Sequence, residues 1–131
     1  MTQKDKPTLT QLIFNSVSPW DNPHQGTDKK ILFVCSAGIL RSPTAARIFS
    51  DRFNTRSCGS QPYALIRISG ELISWADEIV FMKQDDYDYL KDHYDWNNIK
   101  ENKKVIILNI RDMYDYMSDY LVESIKEQYI P

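Results

Sequence analysis

Three short apolar runs punctuate the chain. Ile31-Leu32-Phe33-Val34 follows two lysines, Ile79-Val80-Phe81-Met82 follows Asp77 and Glu78, and Val105-Ile106-Ile107-Leu108 follows Lys103 and Lys104. A continuous apolar run without alternation suits a strand buried on both faces. A further strand is read at residues 55–58, closed by Gly59-Ser60. Between the runs, apolar positions recur at helical spacing. Ser42-Pro43 offers an N-cap serine with proline at the first helical position, ahead of Ala45, Ala46, Ile48, Phe49 and Phe53. Ser69 suits the cap of a helix with Leu72, Ile73 and Ala76 on its inner face. Asp85 and Asp86 favour a helix start anchored by Leu90. Ser118-Asp119 opens a last helix showing Leu121, Val122, Ile125 and Tyr129. The polar stretch 94–103 reads as a surface loop.

Strand and helix thus alternate four times, which predicts an α/β fold with right-handed crossovers. The expected architecture is a three-layer sandwich: a four-stranded parallel sheet in the order 2-1-3-4, with helices on both faces. Ligands in such sheets bind beyond the carboxyl ends of the strands, where Cys35 and the segment after Leu108 lie. Residues 1–28 carry Pro7, Pro19 and Pro23 around the patch Leu9, Leu12, Ile13 and Phe14. They read as an N-terminal extension with at most one short helix, suited to a partner or dimer contact, ahead of a single α/β domain at 29–131.

Composition narrows the function. The 131 residues are 42% apolar and 26% charged, ordinary for one globular domain. A net charge of −2 supplies no general field for nucleic acid or an anionic membrane, so any anion site must be local. No leader-like apolar core and no run of membrane-spanning length occurs, so a cytoplasmic protein is expected. The two cysteines, Cys35 and Cys58, are too few for a disulfide scaffold and lack zinc-site spacing. Neither a metal nor a cofactor is expected.

The chemistry concentrates in Cys35-Ser36-Ala37-Gly38-Ile39-Leu40-Arg41-Ser42, between the first strand and the first helix. A loop of this length can curl its backbone N–H groups around an anion at a helix start. The same field favours thiolate over thiol, making Cys35 the expected nucleophile. Arg41 offers a planar fork for two phosphoryl oxygens, which lysine lacks. Ser42 lies near enough to donate to the sulfur and help it leave.

Val34-Cys35-Ser36-Ala37-Gly38-Ile39-Leu40-Arg41-Ser42-Pro43-Thr44-Ala45 resembles the signature of the low-molecular-weight protein tyrosine phosphatases. Arg56-Ser57-Cys58-Gly59-Ser60 is similar to that family's second strand and turn, and Trp75-Ala76-Asp77-Glu78-Ile79-Val80-Phe81-Met82 to its third strand with the preceding helix end. The resemblance covers about residues 30–131 and implies hydrolysis of phosphate monoesters, chiefly protein phosphotyrosine or a small aryl phosphate, through a phosphocysteine. Gly38 stands where the family usually has Asn, and Leu40 where it often has a second, protective cysteine. Cys58 reads as a small packed residue rather than a redox partner.

The reaction also needs an acid for the leaving oxygen. The family places an Asp in an Asp-Pro-Tyr sequence after the fourth strand, and Asp112-Met113-Tyr114 is similar. Asp112 is therefore the candidate general acid, with Asp115 the alternative. Ile39 and Leu40 are candidates for one apolar wall of the pocket, and Tyr114 and Tyr116 for another. Tyr87, Tyr89, Tyr94, Tyr120 and Tyr129 suggest a tyrosine-rich surface. Two rival readings use the same loop: an arsenate reductase-like thiol enzyme, which needs further thiols, and a phosphate-dependent binding module that does not hydrolyse its ligand.

Overall fold

The computed structural model describes residues 22–131. Strands β1 (Lys30–Cys35), β2 (Asn54–Gly59), β3 (Glu78–Phe81) and β4 (Lys104–Ile107) form one sheet. The helices are α1 (Arg41–Ile48), α2 (Gly70–Trp75), α3 (Gln84–Leu90), α4 (Trp96–Asn102) and α5 (Asp119–Gln128). Every strand pair is parallel and the order is β2-β1-β3-β4, as expected. Val34 lies opposite Cys58, Phe33 opposite Val80, and Val80 opposite Ile106.

Strand alternation divides the core in two. Ile31, Phe33 and Cys35 point to one face, with Ala45 and Ala46 of α1 and Leu121 and Ile125 of α5. Leu32 and Val34 point to the other, with Leu72 of α2, Leu90 of α3 and Trp96 of α4. The four apolar residues of β1 are wholly buried; each removes a large side chain from water, a gain of about 1.5–3 kcal/mol. That covering on both sides explains why the run is apolar without alternation. Aromatic contacts tighten each face: Tyr129 meets Phe33 and Phe49 edge-on, and Phe81 meets Tyr87 and Trp96. Tyr87 and Tyr129 are accordingly core residues rather than part of a tyrosine surface.

Three further local expectations change. The stretch 94–103 is not a loop: Asp95 accepts from the Asn98 N–H and caps α4, while buried Trp96 donates to the Leu90 carbonyl at 2.8 Å. Its inner face has a single fully buried residue, so no apolar period announces it. Helix α1 begins one residue before Ser42, with Leu40 as N-cap and no side-chain cap, which frees the Ser42 hydroxyl for the sulfur. Strand β4 is an edge strand exposed at Lys104 and Ile107, so its apolar run is not buried on both faces. Strand β2, though polar, is buried throughout: Thr55 donates to the Ala46 carbonyl at 2.7 Å, and the Arg56 guanidinium lies 4.2 Å from the Trp75 ring centre.

Residues 22–28, assigned by sequence to the extension, lie along residues 50–55. Asn22 and Asn54 exchange two hydrogen bonds, Gly26 N–H donates to Ser50, and Gln25 accepts from the Thr55 N–H. The short helix expected around Leu9 to Phe14 lies outside the described residues. Among the described residues, no helix is long and apolar enough to cross a membrane.

Candidate active site

Cys35 ends β1, and Gly59 ends the neighbouring β2 beneath the loop. Carbonyls of the loop turn outward: those of Cys35, Ser36 and Ala37 accept from the N–H groups of Ser60, Gln61 and Leu65 at 2.8, 3.1 and 3.1 Å. With its carbonyls engaged outside, the loop can turn N–H groups inward, as an anion cradle requires. Two glycines permit this close approach. Gly38 has φ +69°, and a Cβ there would lie 2.9 Å from the Cys58 backbone; a Cβ on Gly59 would lie 2.5 Å from the Ser36 oxygen. Glycine at position 38 thus meets a need that follows from the backbone itself.

The Cys35 sulfur accepts from the Gly38 N–H at 3.2 Å and lies 3.1 Å from the Ser42 oxygen, whose hydroxyl is also 3.2 Å from the Cys58 carbonyl. Arg41 is buried and held at every end. Its Nη1 donates to the Ile110 carbonyl at 3.1 Å, its Nη2 to the Ser36 oxygen at 3.2 Å, and its Nε lies 3.5 Å from Asp112 Oδ1. Asp112 is 62% exposed, so that pair is open to solvent from one side. Cys35, Ala37, Ile39, Leu40, Arg41 and Asp112 together line a cleft of about 190 Å³.

The candidates from sequence divide accordingly. Cys35, Arg41 and Asp112 come together, and Ala37, Ile39 and Leu40 form walls beside them. Ser36 and Ser42 lie beneath the cleft, where their hydroxyls brace Arg41 and the sulfur. Tyr114 and Tyr116 are not among the residues lining this cleft. Tyr114 packs against the core and stacks on Tyr120, because the chain after Asp112 folds back toward α5. Asp115 does not line it either. Cys58 is wholly buried in the opposite half of the core from Cys35, and burial first, then the neighbouring Cys35 and Asp86, pushes its thiol well up.

Sequence reasoning missed Asp86, which it treated only as a helix-start residue. Asp86 is 1% exposed and accepts from the Ser36 hydroxyl at 2.8 Å and from the Ser60 hydroxyl at 3.0 Å. Fifty positions separate it from Ser36, so spacing carries no signal; its place just beyond the end of β3, next to β1, is the available clue. Among the described residues, no group of three or more His, Cys, Asp or Glu side chains is placed to hold a metal ion.

No family model matches the sequence, and no curated protein matches it significantly. The structure is similar to the YwlE arginine phosphatase from Geobacillus stearothermophilus, with a TM-score of 0.50 and 16% identity over 76% of this chain and 84% of that one. At that identity the likeness is one of fold: a four-stranded parallel α/β sheet of the kind that the loop's resemblance to the low-molecular-weight phosphatases implies.

Proposed function

We propose that the protein is a cysteine-dependent phosphatase that hydrolyses phosphate monoesters through a phosphocysteine on Cys35. The observation that carries this reading is the meeting of the Cys35 sulfur, the Arg41 guanidinium and the Asp112 carboxyl around one small cleft at the end of β1. In the first step the sulfur attacks phosphorus, an S–P bond forms, and the P–O bond to the leaving group breaks as Asp112 gives that oxygen a proton. In the second, Asp112 takes a proton from water, the water oxygen attacks phosphorus, and the S–P bond breaks to return the thiolate and free phosphate. Arg41 and the loop N–H groups hold the equatorial oxygens through both steps.

The apolar walls at Ile39 and Leu40 suit an aromatic leaving group, so phosphotyrosine in a protein, or a small aryl phosphate, is the first substrate class. Fold similarity to an arginine phosphatase brings phosphorylated arginine forward as the second, a phosphoramidate in which the P–N bond would break and Asp112 would give its proton to the guanidine nitrogen. An arsenate reductase-like relay is disfavoured, since Cys58 faces the other half of the core. Hydrolysis of p-nitrophenyl phosphate in the presence of chelator tests the reading. Wild type should turn over, Cys35→Ser should not, and Asp112→Asn should lose about 10²–10⁴-fold in kcat. A panel of phosphotyrosine and phosphoarginine peptides then separates the substrate classes. Phosphopeptide binding without phosphate release would favour a binding module instead.

A further inference from the structure

Arg41 is tied not only to the residues of the cleft but also, through one hydroxyl, to a buried acid behind it. Its Nη2 donates to Ser36 Oγ at 3.2 Å, Ser36 Oγ donates to Asp86 Oδ1 at 2.8 Å, and Ser60 Oγ donates to the same oxygen at 3.0 Å. Asp86 Oδ2 is buried with no hydrogen-bond partner among the described residues. A buried carboxyl oxygen without a partner is costly, and a side chain serving only to fill space would not need to be an acid.

We propose that Asp86 is a positioning residue for Arg41, fixing through Ser36 the rotation of the guanidinium that grips the phosphoryl group. The geometry gives the reason for an acid. One oxygen collects two hydroxyl donors, which fixes the Ser36 proton toward Asp86 and leaves the Ser36 lone pairs toward Arg41. The chain Arg41, Ser36, Asp86, Ser60 then joins the loop after β1, the start of α3 and the turn after β2 into one bonded unit. Burial pushes the Asp86 carboxyl up, while the two serine hydroxyls and the Arg41 charge pull it down, so the acid and the guanidinium sense one another electrostatically. Networks of this kind orient the groups that touch substrate without touching it themselves.

This inference rests on the phosphatase reading for its kinetic consequences, but phosphate binding reports on Arg41 independently. The test compares wild type, Ser36→Ala, Asp86→Ala, Asp86→Asn and the Ser36→Ala/Asp86→Ala double variant. Each is measured for kcat and KM with p-nitrophenyl phosphate and for inorganic phosphate affinity by calorimetry, with circular dichroism to establish folding. Asp86→Ala is expected to weaken phosphate affinity and lower kcat/KM by about tenfold or more, the fold-change of one hydrogen bond to a charged group. Asp86→Asn, whose amide oxygen still accepts from both serines, should recover most of the loss. In the Ser36→Ala background, removing Asp86 should cost about threefold or less, because the link is already cut.

If Asp86→Ala is folded and matches wild type in both readouts, or if its effect is undiminished beside Ser36→Ala, the proposal is wrong. Should Asp86→Ala fail to fold, Asp86→Asn and Ser36→Ala decide: a loss in Ser36→Ala with recovery in Asp86→Asn supports it, and wild-type behaviour in Ser36→Ala overturns it. A wild type that hydrolyses nothing but binds phosphate in this variant-dependent way would sink the phosphatase reading and leave the positioning role standing. A wild type that neither hydrolyses nor binds phosphate would sink both.

Discussion

The Ser42 hydroxyl lies between two acceptors, 3.1 Å from the Cys35 sulfur and 3.2 Å from the Cys58 carbonyl. Its single proton can serve one at a time. On the proposed pathway the hydroxyl would donate to the Cys58 carbonyl while the sulfur carries a phosphoryl group, and would turn to the sulfur as it departs as a thiolate. Ser42→Ala should therefore slow breakdown of the phosphocysteine more than its formation. A loss of about 10–100-fold in kcat, the range for a hydrogen bond to a charged group, should appear with a burst of released phenol in rapid-mixing kinetics. Loss of the fast phase instead would place Ser42 in the first step.

Gly38 is a second pressure point. Its left-handed φ and the 2.9 Å approach to the Cys58 and Gly59 backbone both oppose a side chain. Gly38→Ala should cost roughly 1–2 kcal/mol from backbone handedness alone, with more from the clash. Displacement of the N–H that meets the sulfur should also weaken the nucleophile. Denaturant melts and the rate of Cys35 alkylation measure the two effects.

Asp86 makes stability pH-dependent in a direction opposite to most carboxyls. Its folded-state carboxyl is pushed up by burial, partly offset by Ser36, Ser60 and Arg41, while neighbouring Asp85 adds to the rise. Below the ordinary carboxyl value of about 4 the group is neutral whether folded or unfolded. As pH rises from there, the unfolded chain loses its proton first and stability falls until the folded-state value is passed. Asp86→Asn should therefore be more stable than wild type at neutral pH, with the advantage vanishing below about pH 4. Melting temperatures across that range measure it, and a constant difference between the two proteins would contradict this account.

Buried Glu78 accepts from the Tyr129 hydroxyl and pairs with Lys29 at 3.3 Å, fastening α5 to the start of β3 far from the cleft. Tyr129→Phe leaves that carboxylate short of a donor and should cost about 1–3 kcal/mol. Phosphatase activity of the folded protein should be unchanged, as chemical denaturation, with p-nitrophenyl phosphate assays of the native protein, would show.

Much of this architecture is readable in the chain because the strands of a covered parallel sheet declare themselves. Ile31-Leu32-Phe33-Val34 has no alternation because both its faces are buried, and Ser69 and Ser118 cap α2 and α5 as their chemistry predicts. The sequence is less informative where one residue does the work of several. Trp96 is the only buried residue of α4, with Ile99 partly buried beside it, so the helix shows little apolar period to detect. Ser42 looks like a cap by type and position, yet a sulfur one loop away claims its hydroxyl. Tyr114 lies two residues from Asp112, but its direction is set by packing on the core and Tyr120, which spacing does not encode. Asp86 reaches the loop only through strand order, and a residue brought in by topology leaves no local mark.

The covalent step at Cys35 is open to direct capture, by acid-quenching the protein during turnover of p-nitrophenyl phosphate and mapping phosphorylation by mass spectrometry. A phosphoryl group on Cys35, accumulating in Ser42→Ala and absent from Cys35→Ser, is the predicted result. Turnover with no phosphoryl group on Cys35 at any time point, or full activity in Cys35→Ser, would contradict it.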